Sequence, residues 1–402
     1  MKVQTRFALR TAFLLCICTS AAHSEDSHLK LKAETSLSYD NNLFRLSSGA
    51  DPMLSIGKSS ASEQIGVTSV SLTFSTAMSL QRLELAVALV DYRYQSFDYL
   101  NYMSYNYNAA LRWGLTPTLH GSFISERKET ANSFSDYFGL KQSNLRSETT
   151  NRLDAVYEID GPWRISAGVS HYSQNNQQAL VAGGDYTTTS LEAGIGYVFG
   201  TGSSVTFSQK SAKGQYLNRV LVAGSTFDSH FDQATSDVRV HWVMSNNSTA
   251  DFYLSYLNQA HPNVPERDFS GLNSGASLNW LLTGKSSLSL AQSREFAAYA
   301  ANNVNYSQTD RLSLGPTWQM SPKSVVRLRQ EWARIVYLGT PSPSVSPSQR
   351  SDFTRDTALS FYWQPDQKLS FSAALQNAIR ASNQTGLDYN SKQLSLSAQY
   401  SY

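Results

Sequence analysis

The sequence predicts an all-β protein, a transmembrane antiparallel β-barrel of the outer-membrane type with about 18 strands, about 16 being the lower count. Three observations predict it. Apolar and polar side chains alternate in segments that recur from residue 31 to Leu394-Ser395-Leu396-Ser397-Ala398-Gln399-Tyr400-Ser401-Tyr402. Short turns alternate with long polar loops, and tryptophan gathers at one end of the alternating segments. Alternation sends one face of each strand into lipid and the other into a polar interior. Hydrocarbon cannot satisfy the backbone of an open edge, so such a sheet has to close.

Along the chain, the first segment is a leader. Lys2, Arg6 and Arg10 precede the apolar run Ala12-Phe13-Leu14-Leu15-Cys16-Ile17-Cys18, followed by Ser20-Ala21-Ala22 and the polar His23-Ser24-Glu25-Asp26. That run is too short to span a bilayer and reads as a secretory signal over 1-24, with one barrel domain expected over 25-402. Both cysteines lie in the leader, so disulfides, thiolate chemistry and Cys-based metal sites are not expected in the remainder. Removing the leader takes three of the 33 Lys and Arg residues, leaving 30 against 31 Asp and Glu. That balance argues against nucleic acid as a partner. Mean hydropathy is −0.34, and no stretch of about 20 apolar residues follows the leader, which excludes helical spans. No charge run, Pro/Gly linker or change of composition divides the rest.

Turn chemistry orders the strands that follow the first, at 31-40. Short connections fall at 77-79, 115-117, 160-162, 200-203, 245-247, 283-285, 321-323 and 365-367, rich in Gly, Pro, Asn, Asp and Ser. Long polar loops separate them, at 130-145, 174-185, 217-229, 261-268, 297-305, 339-350 and 381-390. Outer-membrane barrels are wired this way, with short turns in the periplasm and long loops outside. The tryptophans agree. Trp113, Trp242, Trp280, Trp318 and Trp363 end strands just before short turns and Trp163 opens one just after, leaving Trp332 alone in mid-strand. Amphipathic rings collected at one level form an aromatic girdle, here the periplasmic one.

Strand parity then assigns faces. In 82-90 the outward row is Leu83, Leu85, Val87 and Leu89, opposite Arg82, Glu84, Ala86 and Ala88. Strand 146-158 turns Arg146, Glu148, Thr150, Arg152, Asp154 and Glu158 inward, and 324-333 turns in Arg327, Arg329 and Glu331. Strands 235-243 and 309-318 add Asp237, Arg239, His241 and Arg311. The expected pore lining is therefore Arg82, Glu84, Arg152, Asp154, Arg239, His241, Arg311, Arg327, Arg329 and Glu331. Charges of both signs either brace the wall or line a path for polar solute.

Catalytic motifs are wanting: no HExxH, GxSxG or close carboxylate-histidine group accompanies the histidines, and His171 beside Ser170 and Ser173 is a neighbourhood that abundant serine produces by chance. No enzyme activity, cofactor or metal is expected, and nothing binds a nucleotide. On the outer side, Tyr92, Tyr94, Tyr99, Tyr102, Tyr105 and Tyr107 crowd one hairpin with Asp91, Arg93, Asp98, Asn101, Asn106 and Asn108. An extracellular girdle accounts for such tyrosines, and so does a sugar-binding surface in which Tyr99, Tyr102 and Tyr105 cover sugar CH faces while amides take hydroxyls.

Several stretches resemble one family: Tyr39-Asp40-Asn41-Asn42-Leu43-Phe44-Arg45-Leu46, Gln81-Arg82-Leu83-Glu84-Leu85, Tyr92-Arg93-Tyr94, Leu111-Arg112-Trp113-Gly114-Leu115-Thr116-Pro117 and Gly161-Pro162-Trp163-Arg164. They are similar to EpsL-type proteins, β-barrel porins encoded in exopolysaccharide biosynthesis operons, often beside an exosortase. The match is densest over residues 31-172. The resemblance implies a role in moving exopolysaccharide across the outer membrane of a Gram-negative bacterium. Expected partners are outer-membrane lipid, the exopolysaccharide, the barrel-assembly machinery and other periplasmic or inner-membrane export components. A general diffusion porin for small polar solutes is the alternative, and an adhesion or assembly barrel with a plugged lumen a further one.

Overall fold

The computed structural model describes residues 27–134, 143–159, 161–179, 181–222, 224–301, 304–339 and 350–402. The leader at 1-24 and most of the loop at 339-350 lie outside these residues. Eighteen strands form one sheet: β1 (Ser27–Asp40), β2 (Glu63–Met78), β3 (Gln81–Tyr94), β4 (Tyr102–Gly114), β5 (Leu119–Ala131), β6 (Leu145–Glu158), β7 (Trp163–Asn176), β8 (Tyr186–Val198), β9 (Ser204–Tyr216), β10 (His230–Ser245), β11 (Ser248–Ala260), β12 (Phe269–Thr283), β13 (Ser286–Ala301), β14 (Val304–Ser321), β15 (Ser324–Leu338), β16 (Ser351–Trp363), β17 (Leu369–Ser382) and β18 (Tyr389–Ser401). Each strand pairs antiparallel with the next, and β1 also pairs with β18, as in Leu37 opposite Leu396. Closure leaves no strand edge to be satisfied by lipid.

Hydroxyl side chains build several of the short turns. Ser245 Oγ accepts from the Asn247 N–H at 3.2 Å, Thr283 Oγ1 from Lys285 at 3.1 Å and Ser321 Oγ from Lys323 at 3.2 Å. Each of these three turns is accompanied by a register shift, between Val243 and Ser245, Leu281 and Thr283, and Gln319 and Ser321. A small residue that bonds its own backbone two positions on replaces ladder bonds where the chain reverses.

The stretch Tyr39 to Leu46 clasps the seam at the other end. Asp40 accepts from the Asn42 N–H and from Ser391 Oγ, both at 2.9 Å, and pairs with Arg45 at 2.8 Å. Asn41 Oδ1 takes the Lys392 N–H at 2.7 Å, and the Asn42 amide brackets Leu46. These bonds tie the end of β1 to the start of β18 and turn Leu43 and Phe44 toward the mouth. There they form a buried cluster with Phe97 and Leu100, flanked by Ile65, Tyr94 and Phe134. Glu63, buried beneath it, accepts from the backbone N–H groups of Gln64, Gln95, Ser96 and Phe97.

One expected loop is corrected. Residues 297-305 hold four alanines and three asparagines beside Tyr299 and Val304, yet β13 continues to Ala301 and β14 starts at Val304, with Ala298 opposite Tyr306 and Ala301 opposite Val304. Pairing with a neighbouring strand outweighs weak local preference.

The outer wall is apolar, with Leu85, Val87 and Leu89 of β3 exposed toward the membrane. Trp163, Trp242, Trp280, Trp318 and Trp363 are each between 44% and 52% exposed on this face, at the strand ends expected for the periplasmic girdle. Trp113 lies across Gly121, where an added Cβ would sit 2.5 Å from the indole and 2.0 Å from the Asp154 carbonyl oxygen. The apolar band is uneven in height. On β9 only Val205 and Phe207 precede the outward Gln209, Ser211, Lys213 and Gln215, and Ser236 Oγ donates to Gln209 at 2.6 Å.

Candidate functional site

The alternation that faces leucine to lipid turns every charged residue of the expected lining to the inside. Their partners come from the same strand two residues away or from the next strand, except that Arg152 of β6 also reaches Glu192 of β8 across Gly168 of β7. Arg82 and Arg112 both engage Glu84, at 3.0 and 3.1 Å. Arg152 bridges Asp154 at 3.4 Å and Glu192 at 3.5 Å. Arg239 pairs with Asp237 at 2.6 Å and His241 with Asp251 at 2.7 Å.

A third network spans β14 to β17. Arg311 pairs with Glu331 at 3.0 Å and Arg329 with Asp356 at 2.7 Å. Gln376 donates to the second oxygen of Asp356, and Glu331 and Asp356 stand opposite one another in register. Arg327 has no ion-pair partner among the described residues. Parity alone identifies Arg82 or Arg329; it did not single out Arg112, Glu192, Asp251, Asp356 or Gln376, because finding them requires the register between strands.

These inward groups are well exposed: the side chains of Arg239, Arg82, Arg112 and Arg329 are 73%, 57%, 56% and 55% accessible. A protein interior that buried them would owe a large desolvation penalty, which water beside them removes.

At the mouth, two of the three expected sugar-contact tyrosines come together. Tyr99, Asn101 and Tyr102 line a cleft of about 630 Å³ with Ser143, Leu145, Gln177 and Gln178. Tyr102 is stacked on Tyr92 with ring centroids 4.4 Å apart, and Tyr99 meets Phe97 edge-on at 6.1 Å. Asn101 Oδ1 is held by the Tyr94 N–H at 2.7 Å. Gln178 Nε2 donates to the Ser143 carbonyl at 3.0 Å, and Ser143 Oγ is buried with no partner among the described residues. Burial, then the negative charge of Glu63, raises the Tyr99 pKa above its ordinary value, so its phenol stays protonated.

Tyr105 does not join them. It lies three positions after Tyr102, so period two sends it to the outer face, where the Arg127 guanidinium covers its ring at 3.7 Å. The same parity splits the Ser170 and His171 neighbours. Ser170 bonds Ser190 on the lumen side, and His171 meets Thr189 at 3.1 Å on the membrane side.

A closed 18-strand antiparallel sheet with an apolar, girdled exterior and a charged interior defines a Gram-negative outer-membrane β-barrel, the fold of porins. Solved structures of this class are similar over nearly the whole chain. Pseudomonas aeruginosa OccK1 (OpdK) superposes with a TM-score of 0.53 and 11% identity, covering 94% of this chain and 99% of that one. A BenF-like porin from Pseudomonas fluorescens Pf-5 gives 0.55 and 9%, covering 94% and 99%. Pseudomonas aeruginosa OprD gives 0.51 and 11%, covering 94% and 95%. No family model and no curated protein matches the chain.

Proposed function

We propose that the protein is a passive, water-filled channel for small polar solutes across the outer membrane. The observation that carries this reading is the exposure of the inward charges, led by Arg239 and the Arg82, Glu84 and Arg112 group. Weak contacts of both signs let a polar solute exchange hydration for side chains without being trapped. The porin likeness of the fold supports the same reading. Planar-bilayer recording of the purified barrel tests it. Stepwise ion conductance is expected, and a silent barrel, even with the long loops shortened, would replace the channel with a plugged assembly or adhesion barrel.

A second reading, exopolysaccharide export, is favoured by the EpsL-like stretches over 31-172 and by the aromatic and amide cleft at the mouth. Energy would then come from polymer synthesis or inner-membrane components, with the barrel as guide. A deletion strain that loses surface polysaccharide while small-solute uptake stays normal would establish export; the opposite pattern would leave the diffusion channel.

A further inference from the structure

The mouth cleft has a chemistry of its own. Among the described residues its lining is uncharged: two tyrosines, three planar amides, a serine and a leucine. About 630 Å³ falls within the range of roughly 300–1,000 Å³ typical of ligand sites. Its polar groups are also unspent. Among the described residues, Asn101 uses its oxygen internally and keeps its amide N–H groups, Gln178 uses its nitrogen and keeps its oxygen, and the Ser143 hydroxyl is buried without a partner. A buried hydroxyl left in that state is costly unless a ligand or water completes it.

We infer that this cleft binds a neutral saccharide segment at the channel mouth. The Tyr99 ring, half-exposed on its short loop, would cover the CH face of one sugar ring, while the amides and Ser143 take hydroxyls. Hydroxyl-rich neutral sugars need matched donors and acceptors with no fixed charge, which this lining offers. Among the described residues an acidic polymer would find no free cation in this lining, since Arg146 beside Leu145 is already paired with Glu148 at 2.8 Å. The inference deepens the channel reading by naming a solute class, and its test separates the two.

Maltohexaose serves as the neutral probe and hexagalacturonate as the anionic one, with the full barrel in detergent micelles. Titration calorimetry should detect maltohexaose binding, weakened roughly tenfold or more by Tyr99→Ala, weakened less by Gln177→Ala, preserved by Tyr99→Trp and unaffected by Tyr105→Ala. Heat-modifiable mobility confirms that each variant is folded. Equal binding by wild type and Tyr99→Ala, no binding of maltohexaose, or preference for hexagalacturonate would overturn the inference. A barrel that conducts yet ignores maltohexaose removes the saccharide site alone; one that binds it without conducting removes the channel alone.

Discussion

Leu31 and Tyr402 exchange both of their backbone hydrogen bonds, Tyr402 N–H to Leu31 at 2.8 Å and Leu31 N–H to Tyr402 at 2.9 Å. This pair closes the seam at the end that carries the short turns, where Ala33 stands opposite Tyr400 and Lys32 opposite Ser401. Deleting Tyr400 to Tyr402 strips β1 of those partners and exposes backbone groups that lipid cannot satisfy. The folded, heat-modifiable form in outer-membrane fractions should fall sharply. Undiminished levels would mean that the seam closes without them.

Fixed charge should set ion selectivity. Neutralising Arg327 and Arg329 together, as R327Q/R329Q, is expected to move the reversal potential toward cation preference, because Arg327 is a lumen cation with no ion-pair partner among the described residues and Arg329 offsets Asp356. Adding D356N restores the balance at the second site and should reverse about half of the shift. Reversal potentials in asymmetric salt measure both.

Glu63 organises the loops over the mouth by holding the N–H groups of Gln64, Gln95, Ser96 and Phe97. Glu63→Ala removes this acceptor, leaving Gln95 its bond to the Gln64 carbonyl at 3.1 Å, and costs about 1–3 kcal/mol for each donor that stays buried and unbonded. Faster limited proteolysis at 95–101 is expected, with the barrel itself still heat-modifiable. Unchanged cleavage would show that the Phe44 and Phe97 contact, at 4.8 Å, suffices.

Acid should loosen the strap between loops 217–229 and 261–268. Asp228 accepts from the Asn263 N–H at 2.7 Å and its side-chain amide at 2.9 Å. Burial opposes the charge of Asp228, but the hydrogen bonds from Asn263 and the neighbouring backbone prevail and hold its pKa below the usual 3.8. Burial also keeps the His261 pKa below 6.5. In both cases the open state binds protons more readily than the closed one, so stability rises with pH. The His261 contribution is complete above pH 6.5 and is lost as pH falls from there through its depressed value. The Asp228 contribution is complete above 3.8 and is lost below it. Hydrogen exchange of the two loops at pH 7.5, about 5 and about 3 should show two successive increases in opening.

Much of this was legible because period two and turn chemistry are local. Leu83 to Leu89 and Arg82 to Glu84 declare their faces without reference to any other strand. What depends on a neighbour was not legible. Tyr105 was grouped with Tyr99 and Tyr102 by composition, although its spacing from Tyr102 is odd and sends it to the other face. Ala298 and Ala301 carry no strand signal and are held by Tyr306 and Val304 across the hairpin. The Asp40 clasp joins residues 351 positions apart, a distance that no window on the sequence spans.

The uneven apolar band has a consequence for the surrounding bilayer. Leu83 to Leu89 covers about 20 Å of strand, whereas Val205 to Phe207 covers about 7 Å before Gln209 begins. Lipid matches its hydrocarbon depth to the wall it touches, at fractions of a kcal/mol per Å of mismatch. A thinner membrane is therefore expected beside β9 than beside β3, and such a gradient would favour one orientation of the barrel toward its neighbours in the plane of the membrane.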